Sequence, residues 1–344
     1  MSNLPVGLVL SGGGAKGAYQ VGVLKAILHS GGQVDAIAGA SIGALNGGVL
    51  ASAPSLEIGV KRLEQLWMTL ANEPPIAPNF PAYFEFLLAV GLRIRGLWLL
   101  PLLKKILGSL GGTIPAEKTF LSSRPLYRLM EEYFDPEALT NGLPLYISVY
   151  RSNGAIIDIL SFLASESGLK DSPDSEFIHI QSMPRDQQRD ALLASAALPL
   201  LFEGRFIDGV LYRDGGIGGS QSAQGNTPIT PLLQAGIQRV FVTHLSDGAL
   251  WRRQDFPEAT ILEIRPQSAI RRDGGVKDLM GFNPSKIPAW IEQGYEDTQH
   301  CLKRVSEATA ARATLHSSQA MLNEDQAQFE HLDQALTDVL RRLR

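Results

Sequence analysis

The chain of 344 residues carries 31 Lys and Arg against 35 Asp and Glu, a formal net charge of −4, with 44% hydrophobic and 19% charged residues. That length and apolar content suit one large α/β domain with a helical extension, and the mildly acidic balance argues against a nucleic-acid partner. The single cysteine, Cys301, excludes an internal disulfide and suits a reducing compartment.

Val6-Gly7-Leu8-Val9-Leu10 has the β-branched, leucine-rich composition of a buried parallel strand. The residues ahead of it lack the basic start and long apolar core of a signal peptide, so a cytoplasmic protein is expected. The strand empties into Ser11-Gly12-Gly13-Gly14-Ala15-Lys16-Gly17. Backbone N–H groups in such a loop, beside a helix N-terminus, suit a developing negative charge. Gly12, Gly14 and Gly17 also match G-x-G-x-x-G, the dinucleotide fingerprint. That fingerprint expects an acid at the end of the second strand, whereas Asp35 precedes it.

Tyr19, Val23, Leu24, Ile27 and Leu28 are spaced for the buried face of a helix that Gly31-Gly32 stops. A second strand then runs into Gly39-Ala40-Ser41-Ile42-Gly43, a G-x-S-x-G box. The serine of such a box sits on a tight strand-to-helix turn with its hydroxyl exposed above the sheet. In a right-handed βαβ unit both strand ends lie on one edge, so the glycine loop and Ser41 are expected to be neighbours. The plainer reading is a glycine-rich turn with a solvated serine.

Ser55 is placed to cap a helix through Leu56, Val60, Leu63 and Trp67. The segment 83–110 is crowded with Leu, Ile, Phe and Trp98, punctuated by Arg93, Arg95, Lys104 and Lys105 and broken by Pro101. Those charges argue against a transmembrane span and suit a lid or a helix lying at a membrane interface, with a core helix pair as the plainer alternative. Residues 145–150 and 156–160 read as strands around Ser152-Asn153-Gly154, and 185–197 as a helix. Residues 205–207 and 210–214 read as a hairpin with an Asp208-Gly209 turn, ending in Asp214-Gly215-Gly216. Residues 228–235 read as helix, 239–243 and 260–264 as strands, and Asp273-Gly274-Gly275 as a surface loop. From Pro288 onward the chain reads as helix. Its stripe of Phe329, Leu332, Leu336, Val339, Leu340 and Leu343 serves domain packing, a homodimer contact or an anionic-membrane foot.

A serine nucleophile needs a base. Of six histidines only His244, at the end of the strand 239–243, is placed like a loop residue of an active site. Ser41, Asp214 and His244 fit the chain order of an α/β-hydrolase-like esterase triad, although that fold normally sets several strands ahead of its elbow. A non-catalytic lipid- or nucleotide-binding module, with the glycine loop as phosphate cradle, is the other alternative.

The blocks Gly12-Gly13-Gly14-Ala15-Lys16-Gly17, Gly39-Ala40-Ser41-Ile42-Gly43 and Asp214-Gly215-Gly216 resemble, in order and position, those of the patatin-like phospholipases. The segment 194–202, Ala-Ser-Ala-Ala-Leu-Pro-Leu-Leu-Phe, and Asn226-Thr227-Pro228 are similar to that family's flanking segments. The resemblance implies a three-layer α/β/α fold with a mainly parallel sheet over residues 1–280, and leaves 281–344 as a helical extension. It implies a lipid acyl hydrolase of phospholipase A or lysophospholipase type, acting through a Ser–Asp dyad and an acyl-enzyme without catalytic histidine, metal or cofactor. Ser41 would be the nucleophile and Asp214 its base. Gly12, Gly13 and Gly14 would supply oxyanion donors. Lys16, Gly17, Gly39, Gly43, Gly215 and Gly216 would support them. The expected partners are a fatty-acyl ester and a membrane surface, with the enzyme peripheral on the inner face. The link 217–225 is longer than expected before Asn226, which bears on pocket shape rather than on the dyad.

Overall fold

The computed structural model describes residues 4–72, 124–155, 157–159, 161, 171–199, 202–219, 222–246, 251–270, 282 and 284–342. The segment 83–110 and Asp273-Gly274-Gly275 lie outside the described residues. The chain divides into a compact unit, Met1–Thr298, and a second unit, Gln299–Arg344.

The first unit is built on an eight-stranded sheet: β1 (Val6–Leu10), β2 (Ala36–Ala40), β3 (Leu145–Arg151), β4 (Glu176–His179), β5 (Arg205–Ile207), β6 (Val210–Asp214), β7 (Arg239–Thr243) and β8 (Thr260–Ile264). The order is β5-β6-β3-β2-β1-β7-β8, with β4 also on β3. The five central strands, β3-β2-β1-β7-β8, are parallel, and β4, β5 and β6 are antiparallel additions on the β3 side. Chain order runs one way from β1 to β2 and β3 and the other way to β7 and β8. The sheet therefore has a topological switch point at the carboxyl ends of β1 and β7, where open α/β sheets leave a crevice.

The helices with described bounds are α1 (Ala18–His29), α2 (Ile42–Ala51), α3 (Leu56–Asn72), α4 (Arg124–Tyr133), α5 (Pro136–Leu139), α6 (Arg185–Ser195), α7 (Thr230–Gln234) and α8 (Ile287–Arg342). Side chains alternate across β1 and β2, which separates two core layers. Val9, Ala36 and Ala38 pack on one face with Leu232 of α7, Val240, Val242 and Trp251. Leu10, Ile37 and Leu145 meet Gly47 of α2 on the other. Each fully buried Leu or Ile contributes roughly 1.5–3 kcal/mol, so these two layers hold the sheet between its helices. Ser55 Oγ accepts the Ile58 N–H at 3.2 Å, the expected cap of α3. The hairpin forms as read, with Asp208 and Gly209 at φ 48 and 78, both left-handed as a two-residue turn requires.

One element differs. Ala155 and 157–159 are helical instead of forming a strand. The reason is polar: the fully buried Asp158 carboxylate accepts from Ser152 Oγ and the Asn153 N–H and faces Arg213 Nε at 3.7 Å. A local side-chain-to-backbone turn outcompetes the alternating pattern of an edge strand. Burial pushes the Asp158 pKa up, partly offset by Ser152, Asn153 and Arg213.

Within the first unit, the opening turns of α8 pack on α1. Gly294 lies against the Tyr19 carbonyl, Gly22 against the Ile291 backbone, and Tyr19 Oη donates to Asp297 Oδ2 at 3.1 Å. The second unit is α8 from Gln299 onward, and residues 303–342 are exposed throughout. Among the described residues, no helix is long and apolar enough to cross a membrane.

Candidate functional site

β1 and β2 pair in parallel with Leu10 opposite Gly39, so both strands release the chain on the same edge. The glycine loop and the serine box meet there: a Cβ on Gly12 would lie 3.0 Å from Ser41 Cβ. Ser41 sits between β2 and α2 at φ 52 and ψ −125, a backbone that a non-glycine residue adopts only under external constraint. The constraint is close packing. A Cβ on Gly43 would collide with the Leu10 carbonyl, and one on Gly39 with the Gly43 backbone. The two glycines thus let the elbow fold flat against β1, and that flatness turns the serine outward.

The strained turn leaves the Ser41 N–H outside both strand and helix ladders. It donates to Ser195 Oγ at 3.0 Å, and the Ser195 hydroxyl donates in turn to the Ser148 carbonyl at 2.6 Å. Ser148 and Ser195 are fully buried. Ser195 thereby ties the elbow to β3, a positioning role that the residue-by-residue reading did not assign. The available signal was a small polar residue in the apolar end of α6, just before Ala196-Ala197-Leu198-Pro199. Ser195→Ala would leave a buried N–H unpaired, at a cost of about 1–3 kcal/mol. It is expected to lower kcat by about 10²-fold with KM little changed, the size of effect that follows from a misplaced reacting group; steady-state kinetics and thermal melts check both.

Asp214 arrives along the same edge of β3 that β2 occupies, just beyond the end of β2. Its strand pairs antiparallel with β3, Asp214 opposite Val149, while Ser148 pairs with Ala40 of β2. Ser148 and Val149 both carry β4 on their other edge, so β6 takes up the same edge of β3 where β2 ends, and Asp214 stands next to the residue that follows Ala40. Asp214 is 2% exposed, its N–H donates to the Ala197 carbonyl at 3.1 Å, and its Oδ1 accepts the Gly216 N–H at 2.8 Å. Gly215 packs against the Ser148 carbonyl, where a Cβ would collide, and its own carbonyl accepts from Ser175 Oγ at 2.6 Å. Burial raises the Asp214 pKa to about 6, against the lowering effect of the Ser41 hydroxyl and the Gly216 N–H. Oδ2, buried and otherwise without a hydrogen-bond partner, is the atom left to take a proton.

The glycine loop is held from both sides. Gln20 Nε2 donates to the Ser11 carbonyl at 2.8 Å, and Asn46 Nδ2 donates to the Gly17 carbonyl at 3.2 Å and to Gln20 Oε1 at 2.8 Å. Trp67 Nε1 donates to Asn46 Oδ1 at 3.0 Å. On the opposite side the Ser11 and Thr227 hydroxyls lie 2.9 Å apart, and the Gly12 N–H donates to the Asn226 carbonyl at 3.2 Å. Among the described residues, the Gly13 and Gly14 N–H groups bond to no protein acceptor, which leaves them as the loop's unengaged donors. Gly14, at φ 57, opens the short 3-10 turn Gly14–Gly17 that contains Lys16.

His244 is engaged elsewhere. Its Nε2 lies 3.2 Å from Glu263 Oε2 on β8, and its ring is 5.4 Å from that of Trp251. Burial would raise the Glu263 pKa, but His244 and Arg265 outweigh it and the net shift is downward. The imidazole is thus held in a part-buried polar cluster with Glu263 and Arg265 on the β7–β8 side.

Fold and site define the class: an α/β protein with a serine on a strained strand-to-helix turn, a glycine loop and a buried carboxylate at the sheet's carboxyl edge. The chain belongs to the patatin-like phospholipase family, whose model matches residues 8–233. A patatin-like phospholipase domain-containing protein of Caenorhabditis elegans is 55% identical over 49 residues, 14% of this chain and 4% of the relative. The lysophospholipase nte1 of Aspergillus terreus is 59% identical over 46 residues, 13% of this chain and 3% of the relative. The chain therefore matches only a few per cent of the length of these relatives. The crystal structure of VipD from Legionella pneumophila is 16% identical with a TM-score of 0.41, over 88% of this chain and 67% of that one.

Proposed function

We propose that the chain hydrolyses fatty-acyl esters of phospholipids or lysophospholipids, with Ser41 as nucleophile and Asp214 as its base in the α/β unit. The observation that carries this is the buried Asp214 carboxylate, pushed to about 6, whose pKa the Ser41 hydroxyl draws back down. A carboxylate near neutrality is a far better base than a solvated one. Asp214 takes the hydroxyl proton as Ser41 Oγ attacks the ester carbonyl carbon. The oxyanion is received by the Gly13 and Gly14 N–H groups. Collapse expels the alcohol, which carries away the Asp214 proton, and leaves an acyl-serine. Asp214 then activates water to release the fatty acid and regenerate the serine. Family membership supports the lipid ester as substrate.

The test is hydrolysis of a mixed lipid extract by wild type and Ser41→Ala, read by mass spectrometry. Loss of defined lipids with matching fatty acids, seen with wild type alone, is expected; an unchanged extract under all conditions sinks the reading. A serine-reactive fluorophosphonate separates enzyme from binding module, because only an activated Ser41 is labelled. A triad through His244 is disfavoured by the Glu263 contact. His244→Ala is expected to lower stability slightly, because Glu263 loses one of its partners while Arg265 keeps it paired, and to spare kcat. Loss of turnover in that variant with intact folding would restore the triad.

The expected partners are the acyl ester, a membrane surface and a second copy of the chain through the C-terminal helix, with the enzyme peripheral on the cytoplasmic face. Deletion of 84–107 tests the membrane part: liposome co-sedimentation is expected to be lost.

A further inference from the structure

The second unit, Gln299–Arg344, consists of the exposed part of α8. A lone helix in water draws little stability from propensity and needs an apolar face covered. Its large apolar side chains recur at a strict interval. Leu315, Leu322, Phe329 and Leu336 are seven residues apart and 60–73% exposed, and the sequence continues the repeat at Leu343. Labelled as heptad position a, they place Leu332 and Val339 at d, both more than half exposed. An unsupercoiled helix drifts about 20° per heptad from such a repeat, so a strict seven-residue stripe is a seam for another helix.

Charge identifies the occupant. Between 313 and 340 the sequence contains no Lys or Arg but has Glu324, Asp325, Glu330, Asp333 and Asp338. Interfacial membrane helices carry Lys and Arg on the polar face, so an anionic bilayer repels this one. The margins of the seam, positions e and g, hold Gln319, Gln326, Gln328, Ala335 and similar neutral residues, with Asp333 as the one acid and Arg342 as the one base. Glu324, Glu330 and Asp338 fall on the outer positions b and c. Two copies of this helix therefore meet across an apolar seam with little like-charge repulsion at its edges. Ser318 and Asp325 at d weaken the first half, so the contact is strongest over 329–340.

We propose that residues 315–340 form a coiled coil with the same segment of a second copy, with Phe329 and Leu336 at its centre. The seam rests on the second-copy reading of the partner, and one experiment separates the two. Sedimentation of the full chain is expected to give a dimer at about 10 μM, and Phe329→Asp/Leu336→Asp to raise its dissociation constant at least about a hundredfold, as loss of central anchors does. Ala327→Asp/Gln334→Asp adds the same charge on the outer face and is expected to leave the dimer intact, which controls for charge and folding. A wild-type monomer at 100 μM, on the order of a very weak complex, overturns both the seam and the second copy. A dimer that survives the seam variant overturns the seam alone. Wild-type flotation with phosphatidylcholine–phosphatidylglycerol vesicles that the seam variant loses would assign the stripe to a bilayer and overturn the proposal.

Discussion

Ser41→Ala is expected to lower kcat by about 10³–10⁶-fold, the range for removal of a covalent nucleophile whose partners act as a unit with it. Labelling by a fluorophosphonate should disappear with it. The elbow itself should persist, because it is held by its N–H bond to Ser195 and by the packing of Gly39 and Gly43. Above pH 6 the variant should be somewhat less stable, because the buried Asp214 carboxylate loses the Ser41 hydroxyl. Retained turnover in a folded Ser41→Ala protein would move the nucleophile elsewhere.

Asp214→Asn separates activity from stability. The amide keeps an acceptor for the Gly216 N–H but is no base, so turnover should fall as far as with Ser41→Ala. Stability should move the other way. The folded pKa of about 6 stands above the ordinary carboxylate value of 3.8. The protonated carboxyl is therefore the form that burial favours. Its stabilising contribution is fully present below about 3.8 and is lost as pH rises through about 6. At pH 8 the wild type holds a buried carboxylate, and Asn relieves a cost on the order of 1–3 kcal/mol. Melting at pH 8 should show the variant more stable than wild type, with the gap closing by pH 4. The same titration predicts that wild-type kcat/KM falls below pH 6 as the base takes up one proton. A variant less stable than wild type at pH 8 would mean that ionised Asp214 is paired better than its surroundings indicate.

Much of this site is local and therefore legible in the chain. The glycine loop, the serine elbow and the Asp-Gly-Gly turn each follow a short strand, and the glycines and polar residues that mark each one lie within a few positions of one another. Asp208-Gly209 is the same kind of feature: two left-handed residues that close a hairpin without distant help. Ser195 was less legible because its role is non-local. Nothing in the sequence around 195 states that an N–H at 41 lacks a partner, since the two are 154 residues apart. The 156–160 segment misled for a related reason. Its apolar alternation suits a strand, but the arrival of Arg213 and the Ser152 turn at Asp158 make a helical turn the better home for a buried carboxylate.

Residue order alone carries the identity of the chemical groups, the βαβ start and the family, because strand, turn and glycine signals act over a few residues. The pairing of those groups needed the folded sheet. Register sets Ala40 and Asp214 against successive residues, Ser148 and Val149, on one edge of β3, packing buries that carboxylate, and Glu263 draws His244 to the β7–β8 side. Desolvation and cross-strand register are sums over distant parts of the chain. The pKa of Asp214 near 6 therefore exists only in the assembled protein.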